Sequence, residues 1–60
     1  MINYRLYFMS ADGKHIDRFE PVEGRSDDEA IEAAKRYTGA QPLELWWRDR
    51  KVHSFAPRSH

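Results

Sequence analysis

Ile2-Asn3-Tyr4-Arg5-Leu6-Tyr7-Phe8-Met9 is the stretch whose reading decides the fold. Ile2, Tyr4, Leu6 and Phe8 take every second position, and Asn3, Arg5, Tyr7 and Met9 fill the gaps. Successive side chains of a strand point to opposite faces, so this spacing predicts a β-strand with one committed core face. The other face carries Arg5, Tyr7 and Met9, all able to make contacts. A strand with two useful faces belongs in the middle of a sheet.

Working outward, Asp12-Gly13 follows within Ser10–Lys14 and predicts a hairpin, with φ > 0 at both central residues of a type I′ turn. The returning strand runs from His15 to about Val22. Ile16 and Phe19 lie three apart and share a face only if a bulge intervenes. Pro21 lacks an amide donor, which suits a strand end or an edge strand. Glu23-Gly24-Arg25 reads as a connector. Ser26 and Glu29 then have capping-box spacing, with Asp27, Asp28 and Glu29 in the first helical turn and Lys35 and Arg36 in the last. Ala30, Ile31, Ala33, Ala34 and Tyr37 form an apolar stripe at helical spacing. Gly39 is the expected C′ residue, and Pro42 blocks continuation. Leu43 to Arg48 is a third strand, with Leu43, Leu45 and Trp47 on one face and Glu44, Trp46 and Arg48 on the other. Asp49-Arg50 is a weaker turn, and Lys51 to about Ala56 a fourth strand.

The sum is an α+β domain, β-β-α-β-β, over residues 1–56, with 57–60 as a tail. The helix crosses back so that strand three runs antiparallel to strand one, giving a mainly antiparallel four-stranded sheet in the order 2-1-3-4. The alternative pairs strand three parallel to strand two through a right-handed crossover. The order 2-1-3-4 is preferred because it centres the two most apolar strands. The helix then covers one sheet face and leaves the other open.

Tyr4-Arg5-Leu6-Tyr7-Phe8, the Asp12-Gly13 turn, Asp27-Asp28 with Ala30-Ile31, and Glu44-Leu45-Trp46 together resemble a group of short uncharacterised bacterial proteins. Their pattern is YRLYFxDxxGxI, an acidic-capped helix, then ELW and a short basic turn. The chain departs from it at Ser10, where an acidic residue is usual, and at Trp47, where a polar one is. The resemblance covers most of the chain. It implies one compact domain and no established activity or catalytic residue.

Sixty residues without cysteine make a small domain that no disulfide or thiolate metal site can staple. Such a domain buries only about 60% of the surface its unfolded chain exposes, so it depends on large aromatics, tight local signals or association. Eight residues are Phe, Tyr or Trp, each able to bury roughly 150–250 Å². The formal charge is zero but unevenly placed: Asp17 to Glu32 holds seven acidic and two basic residues, and Lys35 onward six basic and two acidic. That asymmetry can guide a partner, and it also suits a helix whose ends complement its dipole. No apolar run approaches the ~18 residues that span a bilayer, and the start has no secretory pattern. The expectation is a cytoplasmic protein that meets no membrane.

No catalytic constellation stands out. His15, His53 and His60 are scattered, so none is expected to ligate a metal. The acidic cluster of Asp27, Asp28, Glu29 and Glu32 is what a helix start wants, without EF-hand spacing. The glycines form no phosphate loop. Neither an enzyme nor a cofactor is expected. What remains is the open sheet face: Arg5, Tyr7, Met9, Glu44, Trp46 and Arg48, joined by His53 and Phe55 if strand four presents them. Its composition is that of a protein interface, most simply a homodimer or a contact with one protein partner. The alternative is a single-stranded nucleic-acid-binding module, with Tyr7 and Trp46 stacking bases and Arg5, Arg48, Arg50 and Lys51 on the backbone. Zero net charge and the central Glu44 weigh against it. The plainest reading is a solvated sheet face with aromatic–arginine stacking.

Overall fold

The computed structural model describes residues 1–57, so His60 and most of the tail lie outside the described residues. The elements are β1 (Ile2–Met9), β2 (Ile16–Gly24), α1 (Asp27–Ala34), β3 (Leu43–Trp47) and β4 (Arg50–Phe55), with a 3-10 turn at Lys35–Tyr37. They form one four-stranded sheet in the order β2-β1-β3-β4, and every pairing is antiparallel. The centred order holds, and the parallel crossover does not occur.

The alternation in β1 builds the core. Leu6 pairs with Leu45 and Phe8 with Leu43 across the centre of the sheet, and all four are buried together with Tyr4, Val22, Ala30, Ala34 and Phe55. Ile31 and Trp47 pack against this cluster from its margin. Burying each large apolar side chain stabilises the fold by about 1.5–3 kcal/mol, and a chain this short has few of them to lose. The helix makes its closest approach to β2, where Gly24 has no side chain to hold it off. A Cβ at Gly24 would stand 2.8 Å from the Ala30 amide nitrogen.

The central β1–β3 pair is regular, and each edge strand carries a bulge. In β2 the register shifts between Phe8↔Arg18 and Met9↔Ile16, leaving Asp17 extra. In β4 it shifts between Leu45↔His53 and Trp46↔Lys51, leaving Val52 extra. Edge strands tolerate such insertions because only one neighbour must match. Pro21 accordingly sits on edge strand β2, opposite Arg5.

Several local expectations are corrected. The first hairpin has a four-residue loop: Gly13 donates its amide to the Ser10 carbonyl (2.8 Å), and the Ser10 amide bonds to the His15 carbonyl (2.7 Å). Only Gly13 has positive φ there. Asp12 holds the loop by accepting from the Lys14 amide at 2.9 Å, so no type I′ geometry is needed. Strand β2 starts at Ile16 and continues through Gly24, which is a strand residue and not a connector. Ser26 caps the helix by accepting from the Glu29 amide (3.3 Å), whereas Glu29 reaches back to the Arg25 amide (3.2 Å), one residue before the cap. The α-helix ends at Ala34, placing Lys35 and Arg36 in the 3-10 turn. Gly39 has no left-handed φ; Thr38 closes the turn, its hydroxyl donating to the Lys35 carbonyl at 2.8 Å. The second hairpin turns at Arg48-Asp49, not Asp49-Arg50, because Trp47 pairs directly with Arg50.

Candidate interaction surface

The molecule measures 32 × 23 × 14 Å along its principal axes, so its thin dimension holds one sheet and one helix, with no second covering layer among the described residues. The register places two rows of side chains on the uncovered face. One runs Phe19, Tyr7, Glu44, Ser54, and the other Pro21, Arg5, Trp46, Lys51. Arg5, Tyr7, Glu44 and Trp46 are thus gathered as the sequence predicts. Met9 shares their face but is only 8% exposed, because it lies at the strand end beneath the loop, where its amide binds the Pro42 carbonyl and its carbonyl accepts from Gln41. It offers a partner little area. Arg48 is a turn residue and not a strand one, yet it borders both depressions on this face. The β4 bulge at Val52 moves His53 and Phe55 to the face of Leu43 and Leu45, so neither joins the open face. Phe55 enters the core, and His53 stacks edge-on against it at 4.7 Å.

The bulge in β2 brings what the sequence reading left unplaced. With Asp17 extra, Ile16 and Phe19 both fall on the open face, opposite Met9 and Tyr7, and they are 56% and 49% exposed. Their three-residue spacing was the signal, but it leaves open which face they share. Ile16, Tyr7 and Trp46 surround a hollow of about 280 Å³, with Glu44 and Arg48 at its margin. Beside it lies a larger groove of about 630 Å³ lined by Arg5, Tyr7, Phe19, Pro21 and Arg48.

Charge on this face is partitioned. Glu44 accepts from the Trp46 indole N–H (3.0 Å) and faces the Lys51 ammonium at 3.9 Å, so its carboxylate is turned from the larger groove. The Arg5 guanidinium lies 5.1 Å from the Phe19 ring centre, where the ring quadrupole attracts a cation. Among the described residues, neither Arg5 nor Arg48 has a carboxylate within ion-pair distance.

A second polar constellation joins the helix to the sheet. The buried Tyr4 hydroxyl donates to Asp27 Oδ1 at 2.8 Å, and the Arg50 guanidinium reaches both Asp27 oxygens at 3.1 and 3.2 Å. Hydrogen bonds first from Arg50 and then from Tyr4 hold the Asp27 carboxyl below its ordinary value. Burial, and then the bond to Asp27, pushes the Tyr4 phenol up. The signal for this cluster is a tyrosine in a core series, since a buried phenol requires a polar partner; its identity depends on where the helix lands. The acidic cluster is dispersed into such contacts: Asp27 binds Tyr4 and Arg50, Glu29 the Arg25 amide, and Glu32 the Lys35 ammonium at 2.6 Å. Trp47 lies between the Arg48 and Arg50 guanidiniums at 5.4 and 5.5 Å. Among the described residues, no three His, Asp or Glu side chains are grouped to hold a metal ion. No described helix is long and apolar enough to cross a membrane.

The chain matches no family model, no curated protein and no solved structure.

Proposed function

We propose that this protein is a small interaction module that pairs with a second copy of itself through the open sheet face. The observation that carries the reading is the hollow formed by Ile16, Tyr7 and Trp46, with Ile16 standing 56% exposed at its edge. A second copy is the occupant favoured by area and by charge. The molecule's two long dimensions are 32 and 23 Å, so its broad face is of the order of the ~800 Å² that each partner contributes to a standard interface. It carries Arg5, Lys51 and Arg48 beside Glu44 and Glu23, so a two-fold arrangement can oppose cations with carboxylates. Removing apolar surface from water contributes about 25 cal/mol per Å² before association costs, a meaningful addition for so small a fold.

Sedimentation over a wide concentration range tests the reading. The expected result is a reversible monomer–dimer equilibrium with a melting temperature that rises with concentration. Trp46→Glu and Ile16→Glu should both shift it to monomer, while Lys14→Glu at the hairpin tip should leave it unchanged. A single monomeric species at every concentration refutes the proposal.

A further inference from the structure

We infer that the groove between Arg5 and Arg48 receives a segment of single-stranded nucleic acid, with a base on the exposed Phe19 ring and flanking phosphates on the two arginines. The groove holds about 630 Å³, within the range of ligand sites, and no acidic side chain lines it. Arg18 and Arg50 are taken up by Glu20 and Asp27 at 2.7 and 3.1 Å, whereas Arg5 and Arg48 have no carboxylate partner among the described residues. Arg5 and Arg48 both border the groove, the Arg48 guanidinium resting near Trp47, and a border of cations without acids suits an anion. The border is also aromatic: the Tyr7 and Phe19 rings are 6.1 Å apart and inclined at 54°, so a base stacks on one of them at a time, and Phe19 is half exposed, with the Arg5 guanidinium 5.1 Å from its ring centre. Every base has a π-face to lay on such a surface. The acid that argued against nucleic acid in the sequence, Glu44, is bonded to Trp46 and does not border this groove.

The backbone adds a separate observation. Arg48 holds φ at +57°, alone among the described non-glycine residues. This conformation is unfavourable for an L-residue and recurs at functional positions. Glycine would fit this turn without strain, yet the position holds an arginine that borders the groove. Separated guanidiniums suit successive phosphates along a strand.

The groove lies on the face that self-association would cover and shares Tyr7 and Arg48 with the hollow, so a strand and a second copy compete for it, and the strand binds the monomer. Fluorescence anisotropy of a labelled, mixed-sequence, single-stranded oligonucleotide tests it with the full chain and with Ile16→Ser. Both should bind. With about two phosphates neutralised at a slope of about −0.7 each, affinity should fall roughly sevenfold between about 50 and 200 mM salt. Phe19→Ala should weaken binding by about 5- to 150-fold, and Arg5→Gln or Arg48→Gln should each roughly halve the salt slope. Lys14→Gln should change neither. All these side chains lie on exposed positions away from the core, and a melting curve for each variant checks that it folds. The inference is overturned by no binding at the lower salt, or by binding indifferent to Phe19→Ala and to both arginine variants. Equal affinity for duplex or for a free nucleoside monophosphate overturns it too, as does binding that vanishes with Ile16→Ser.

Discussion

Replacing Gly24 with alanine tests how closely the helix must approach the sheet. A Cβ there would stand 2.8 Å from the Ala30 amide nitrogen, 3.1 Å from its Cα and 3.2 Å from its Cβ. The obstructing atoms are the backbone and Cβ of Ala30, at the end of the first turn of α1, so no side-chain rotation relieves them. Restoring an ordinary contact requires the helix to move out by roughly 0.6 Å. That motion is opposed at the same end by the Tyr4–Asp27 bond of 2.8 Å and by the Ser26 cap. It would also loosen Ala30 and Ala34, both fully buried. Forcing extra volume into a packed site costs about 1–3 kcal/mol. Gly24 has no left-handed φ, so alanine returns about 0.4–1 kcal/mol by restricting the unfolded chain. The net expectation is a loss of about 1–2 kcal/mol, or a melting temperature lower by roughly 4–16 °C for a domain of this size. Thermal unfolding followed by circular dichroism measures it, with Gly39→Ala as the control. A Cβ at Gly39 meets nothing within 4 Å, so that variant should melt at or slightly above the parent. If Gly24→Ala melts no lower than Gly39→Ala, the close approach of helix and strand is not what positions α1.

Two further outcomes follow from the polar cluster and the second turn. Because Asp27 titrates below its ordinary value of 3.8 in the folded chain, its contribution is fully present above that value and is lost as pH falls through the folded pKa. Asp12, lowered by its bonds from Ser10 and Lys14, acts in the same direction. Stability should therefore drop below about pH 4, and urea titrations at stepped pH should show a shallower drop for Asp27→Asn, with the remainder assignable to Asp12. Arg48→Gly removes a strained left-handed residue at the first position of a two-residue turn, and glycine prefers that position. It should raise stability by about 1 kcal/mol in the same assay, while abolishing whatever Arg48 does at the groove; a destabilised variant would mean that the Arg48 stacking on Trp47 outweighs the strain.

The central strands were legible because their period is fixed by burial on one side. In β1 and β3 a one-residue slip would send Leu6 and Leu45 to water, so the alternation admits a single facing arrangement. From that, the centred order and the single helix layer follow. The edge strands were harder for a physical reason: each has one neighbour and can absorb an extra residue. The insertion of Asp17 reverses which face Ile16 takes relative to a regular strand, and that of Val52 does the same for His53 and Phe55. The open face is thus half readable. Its central columns, Arg5 and Tyr7 beside Glu44 and Trp46, come from alternation, while its outer boundary is decided by two bulges, of which only that in β2 leaves a trace, in the three-residue spacing of Ile16 and Phe19. The turns show the same division. Asp12-Gly13 announces a reversal, yet the loop length is set by where Ser10 and His15 find each other, and Arg48-Asp49 turns because Trp47 and Arg50 pair and not because its residues favour it. That last case joins the structural and functional readings. A turn built from favoured residues would need no account beyond the fold, whereas an arginine held at φ +57° beside two depressions is a local conflict with a specific location. Such conflicts mark the positions where something besides stability has shaped the chain. Arg48 is therefore where a loss of binding accompanied by a gain in stability would separate the work of the face from the work of the fold.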